Sequence, residues 1–154
     1  MKWGDKFPAE YVNRLYGMVA KNLNLPFRFV CFTENSDSIR DEVEIQNLPE
    51  LDLPSGAPER GWRKLTVFKK DFGKGKLKGK TLFLDLDVVI VENLDEFFTH
   101  PGEFLIAHDK KNSKKVEGNS SVFRFEIGKY PEILEYFEQN SEQVKLEVRH
   151  EQAY

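Results

Sequence analysis

Apolar residues Tyr11, Leu15, Met18 and Val19 recur three and four positions apart. That spacing predicts a helix over residues 8–23 with one buried stripe. Pro8 fits the first turn of such a helix, and Asn24-Leu25-Pro26 ends it. Residues 27–33, Phe-Arg-Phe-Val-Cys-Phe-Thr, are aromatic and β-branched and predict a strand. The turn-forming run Glu34-Asn35-Ser36-Asp37 closes it. Residues 43–46 alternate and predict a short strand, whereas 48–59, with three prolines and one glycine, predict a loop. Trp62, Leu65 and Phe68 share a face of a helix expected over 62–70.

The most apolar stretch is 81–91, interrupted only by Asp85 and Asp87. Such continuity is the pattern of a central strand covered on both faces. A helical turn or two is expected over 94–98, strands over 103–107 and 122–125, and a helix opened by Pro131 over 131–140. Strands and helices alternate without a repeat, which predicts an α/β fold. No linker divides the chain, so residues 1–154 are expected to form one domain. Lys2-Trp3-Gly4 looks like the tail of a strand, and Gln152-Ala153-Tyr154 like the start of a helix. The chain is therefore expected to be truncated at both ends.

Composition changes this picture little. Hydrophobic residues at 40% and charged residues at 32% suit a folded soluble domain, and thirteen phenylalanines promise an aromatic core. A net charge of -3 with a pI near 5.7 argues against a dedicated nucleic-acid binder. A single cysteine, Cys31, has no partner for an internal disulfide and sits in an aromatic strand, where a buried thiol is the ordinary outcome. There is no apolar run of signal-peptide or membrane-spanning length, so a cytoplasmic location is expected. The lysine-rich run Gly73-Lys74-Gly75-Lys76-Leu77-Lys78-Gly79-Lys80-Thr81 lacks the spacing of a phosphate-binding P-loop and precedes a strand instead of following one. It reads as a solvated turn.

The sharpest chemical signal is Leu84-Asp85-Leu86-Asp87-Val88. Residues two apart on a strand point to the same side, so both carboxylates would meet one region. Two neighbouring anions at the margin of a core repel one another unless a positive charge compensates them. A divalent cation with oxygen ligands provides that charge. The plain alternative is that Asp85 ends a strand and Asp87 caps a turn.

At these residues the chain resembles the GT-A glycosyltransferases, and most closely bacterial relatives of glycosyltransferase family 8. The similarity extends beyond Asp85-x-Asp87 to the opening Lys2-Trp3-Gly4-Asp5-Lys6-Phe7-Pro8 with Tyr11-Val12-Asn13-Arg14-Leu15-Tyr16. It includes Gly61-Trp62-Arg63-Lys64-Leu65, Asn119-Ser120-Ser121-Val122 and Glu151-Gln152, in the family's order. The resemblance implies a GT-A-like mixed sheet with helices on both faces. It also implies transfer of a sugar from a nucleotide-diphosphate donor, commonly a UDP-sugar, to a hydroxyl acceptor on a glycan, lipid or small molecule. By it, Asp85 and Asp87 would hold Mn²⁺ or Mg²⁺, and Lys64 with Arg63 would approach the donor diphosphate or sugar. Asn119 and Asp109 would meet donor-sugar hydroxyls, Gly4 would border the base, and Glu151 with Gln152 would stand beside the reacting carbon.

Three departures accompany this. Glu151 stands where the family has Asp, the first strand is expected to be largely missing ahead of Trp3, and no third metal ligand is found. The family takes that ligand, a His, from a segment beyond Tyr154; His100, His108 and His150 do not occupy its motif. Two other readings of the chain stay open. One is a non-catalytic module that keeps the GT-A sheet and binds a nucleotide or sugar. The other is a haloacid-dehalogenase-type phosphatase, with Asp85 as nucleophile and Asp87 as acid/base. The phosphatase would need a later lysine and acidic pair, and no clear pair follows Asp87.

Overall fold

The computed structural model describes residues 1–53, 61–109, 118–148 and 154. The chain is a mixed α/β protein of two compact units. One comprises residues 1–48 and 83–102, and the other residues 49–82 and 103–154.

In the first unit, helix α1 (Ala9–Asn22) begins one residue after Pro8, which serves as N-cap with extended backbone. The helix ends where the Leu23 N–H returns to the Val19 carbonyl at 2.9 Å. Val12, Leu15 and Val19 form its buried stripe, at the spacing that one helical face requires. Two short parallel strands follow, β1 (Val30–Phe32) and β2 (Glu44–Gln46), with Cys31 opposite Ile45. Lys2 adds a single parallel bridge to Thr33, donating its N–H to the Phe32 carbonyl at 2.8 Å. Val12, Leu15, Cys31, Val43 and Leu86 make the core here, with Phe7, Tyr11, Phe29 and Leu84 packed around it. Helix α2 (Asp95–Thr99) is pinned beside the end of α1. The Leu94 N–H reaches the Asn22 carbonyl at 2.7 Å, and Asn24 gives two hydrogen bonds to the Asp95 carboxylate.

In the second unit, a 3-10 helix (Trp62–Phe68) replaces the one-faced helix expected over 62–70. Trp62, Lys64, Leu65, Thr66, Val67 and Phe68 are all buried. A segment enclosed on every side has no single apolar stripe, which is why a helical period described it poorly. The three-stranded sheet runs in the order β3 (Lys80–Leu84), β5 (Gly118–Glu126), β4 (Leu105–His108), and the last two residues of β3, Phe83 and Leu84, are counted with the first unit. β4 and β5 are antiparallel. Phe68, Phe104, Phe123 and Phe125 cluster on it with ring centroids 5.5–6.3 Å apart. Helix α3 (Pro131–Glu147) starts with proline, as expected, but continues past Asn140, where the backbone leaves helical geometry and kinks. Phe137 of this helix stacks on Trp62 at 4.6 Å and 17°.

β3 is the clearest correction. A strand was expected over 81–91, but the ladder stops at Leu84. A turn follows, closed by the Val88 N–H on the Asp85 carbonyl at 3.3 Å. Val89 and Val91, expected to be covered, are 72% and 81% exposed.

Candidate functional site

The turn after β3 places the two aspartates. Leu86 is buried in the first unit's core, while Asp85 on one side is half-buried and Asp87 on the other is exposed. The apolar residue between them thus anchors the turn. Because the ladder ends at Leu84, both aspartates lie beyond the strand, and the strand alternation expected to aim them at one region does not apply to them. Two carboxylates are hard oxygen donors of the kind Mg²⁺ and Mn²⁺ accept. Among the described residues, no group of three or more His, Cys, Asp or Glu side chains converges as a metal site. His100 directs its Nδ1 at the Pro101 carbonyl, 2.7 Å away.

Gly4 belongs to the same unit. It adopts φ +59°, a left-handed conformation that suits glycine. Its N–H donates to Glu34 Oε1 at 2.8 Å, tying the segment after Lys2 to the turn after β1.

The other described candidates lie in the second unit. The register between β4 and β5 slips there: Ile106 faces Phe123, but the next residue, Ala107, faces Asn119. Ser120, Ser121 and Val122 are consequently skipped on the β4 side, as in an enlarged bulge. Lys64 serves this irregular stretch. Its side chain is buried, 7% exposed, and its Nζ donates to both the carbonyl and the Oγ of Ser120, each at 3.2 Å. Asn119 accepts the Ser121 N–H on Oδ1 at 2.9 Å, a local bond across two residues. Lys64 therefore meets the 119–121 segment at Ser120.

The Arg63 guanidinium donates to the Pro49 carbonyl at 2.8 Å. Asp109 is half-buried, one residue past His108, which faces Gly118 across the ladder. Glu151, Gln152 and His150 lie outside the described residues.

Ser120 and Glu34, the partners of Lys64 and Gly4, were not picked out from the sequence. Neither position carries a local signal, since each role arises from a contact across 56 or 30 residues of chain. Among the described residues, no helix is long and apolar enough to cross a membrane. No family model, curated protein or solved structure matches the chain.

Proposed function

We propose that this chain is a metal-dependent glycosyltransferase domain of the GT-A type, acting on a nucleotide-diphosphate sugar such as a UDP-sugar. The observation that carries the reading is the Asp85-Leu86-Asp87 turn. Leu86 is buried in the core just past the end of an apolar strand, with Asp85 half-buried before it and Asp87 exposed after it. Asp85 and Asp87 would hold Mn²⁺ or Mg²⁺, with donor diphosphate oxygens and water completing the shell. The bound ion supplies Lewis-acid stabilisation of the charge on the departing diphosphate. In the second unit Lys64 donates to Ser120, and Asn119 is the adjacent residue of the same strand; a cation and an amide are the group types suited to phosphate and to sugar hydroxyls. In this reading Asp109, Arg63, Gly4, Glu151 and Gln152 keep the roles that the family resemblance implies.

Calorimetric titration with UDP, with and without Mn²⁺, tests the proposal. Wild-type protein is expected to bind UDP only when Mn²⁺ is present, and Asp85→Asn with Asp87→Asn to lose that binding. Unchanged UDP affinity in the double variant sinks the metal-site assignment. Metal-dependent release of sugar from UDP-sugars distinguishes an enzyme from a binding module, and turnover of a generic phosphomonoester would favour the phosphatase reading.

A further inference from the structure

The segment from Lys69 to Lys80 holds six lysines and one acid, Asp71, in a chain whose net charge is -3. It is also a built turn. Phe72 and Leu77 are buried beneath it. The Phe72, Gly75 and Lys76 N–H groups bond back to the Lys69, Asp71 and Gly73 carbonyls. Gly73, Lys74 and Gly75 all take positive φ. A Cβ on Gly73 would lie 2.7 Å from Leu77 Cγ, so the turn closes tightly on its own leucine. At its far end the Ile127 N–H holds the Gly79 carbonyl at 3.2 Å. Lys69 is used internally, donating to the Glu50 carbonyl. Lys70, Lys74, Lys76, Lys78 and Lys80 are exposed.

We infer that this turn is an electrostatic docking surface for an anionic lipid leaflet. The cations are all lysines, strongly hydrated point charges on flexible stems, not the planar forks that fix a discrete phosphate. Headgroups in a fluid leaflet rearrange to meet such charges. A protein or small-anion partner would have to hold them in one geometry, at a cost in side-chain entropy. Single-stranded nucleic acid needs exposed rings for base stacking, and Phe72, the only aromatic residue in the segment, is buried. Because the turn is pinned by its own backbone and two apolar anchors, it presents the charges without being ordered on contact. The inference is independent of the glycosyl-transfer reading.

Co-sedimentation of the full chain with vesicles tests it, comparing phosphatidylcholine alone with phosphatidylcholine plus phosphatidylserine. Binding is expected only to the anionic vesicles, and it should collapse as salt is raised towards about 1 M, where the Debye length is about 3 Å. Lys70→Gln, Lys74→Gln and Lys78→Gln together should weaken partitioning by roughly fivefold per lysine, about a hundredfold in all. Circular dichroism of the triple variant checks its fold, and the salt titration of wild-type protein decides the matter if that variant unfolds. Equal binding to both vesicle types, salt-insensitive binding, full retention by a folded triple variant, or tighter binding to an oligonucleotide than to the anionic vesicles would each overturn the inference.

Discussion

Lys64 shows how much one side chain can be asked to do. Its ammonium is buried and gives two hydrogen bonds to Ser120, at the point where β5 loses step with β4. Hydrogen bonds from a charged donor contribute about 1.5–3 kcal/mol, and a buried carbonyl left without its donor is costly. Lys64→Ala is therefore expected to lower unfolding stability by about 2 kcal/mol in urea titration, and a loss near zero would show that Ser120 is satisfied without it. Exposed carboxylates behave differently. Hydrogen bonds from Asn24 hold the Asp95 carboxyl below the usual range, and the Arg40 hydrogen bond holds Glu42 at about 2. Both folded values lie below the unfolded value of about 4. The stability they contribute is thus present above that value and is lost as pH falls through the folded one. Being exposed, both pairs are screened and small in effect. In an NMR titration of the side-chain carboxyls, Asn24→Ala should move the Asp95 midpoint upward and leave Glu42 where it is. Cys31 sits in the core, and burial pushes its thiol up. It should react with thiol reagents only after denaturation.

The elements differ in how plainly the chain announces them. α1 could be read almost to the residue because its fate is decided locally, by Pro8 at one end, Asn24 and Pro26 at the other and one apolar stripe between. The stretch 81–91 misled because its apolar run looks the same whether the backbone continues as a strand or turns. The turn is set by Leu86 dropping into a core made with Val12, Leu15, Cys31 and Val43, all distant in sequence. The polar run Asn119-Ser120-Ser121 gave no hint of a strand, yet β5 includes it, because pairing with β4 and the bond from Lys64 stabilise a stretch with little strand propensity of its own. Of the candidate site, the sequence offers Asp85, Asp87, Lys64 and Asn119 as separate candidates, whereas the bond of Lys64 to Ser120 and that of Arg63 to the Pro49 carbonyl come from folding. Tertiary packing also explains α3, whose helix passes through the Asn140 kink. Leu134, Phe137, Ser141 and Val144 are its buried residues. Phe137 is fully buried against Trp62, so Phe137→Ala should cost about 3–5 kcal/mol. The change should appear both in the denaturation midpoint and in the fluorescence of Trp62, which loses its stacking partner.

At the scale of the molecule, the candidate residues are divided between the two compact units. Asp85, Asp87 and Gly4 belong to one; Lys64, Arg63, Asp109, Asn119 and the lysine turn belong to the other. A ligand that binds only folded protein stabilises it by mass action, about 2.7 kcal/mol at a hundredfold excess over its dissociation constant. For a chain of 154 residues that corresponds to a rise in melting temperature of about 5–10 °C. Mn²⁺ with UDP is expected to produce such a rise in the wild-type protein, and Mn²⁺ alone a smaller one, since two carboxylates without a diphosphate leave most of the shell to water. Replacing both aspartates with asparagine should remove the response to Mn²⁺ with UDP. It should leave the unliganded melting temperature nearly unchanged, because neither carboxylate is buried and Leu86, the residue that anchors the turn, is kept. A double variant that melts early would mean instead that the aspartates hold the turn together, and a full thermal shift in that variant would place nucleotide binding elsewhere on the protein.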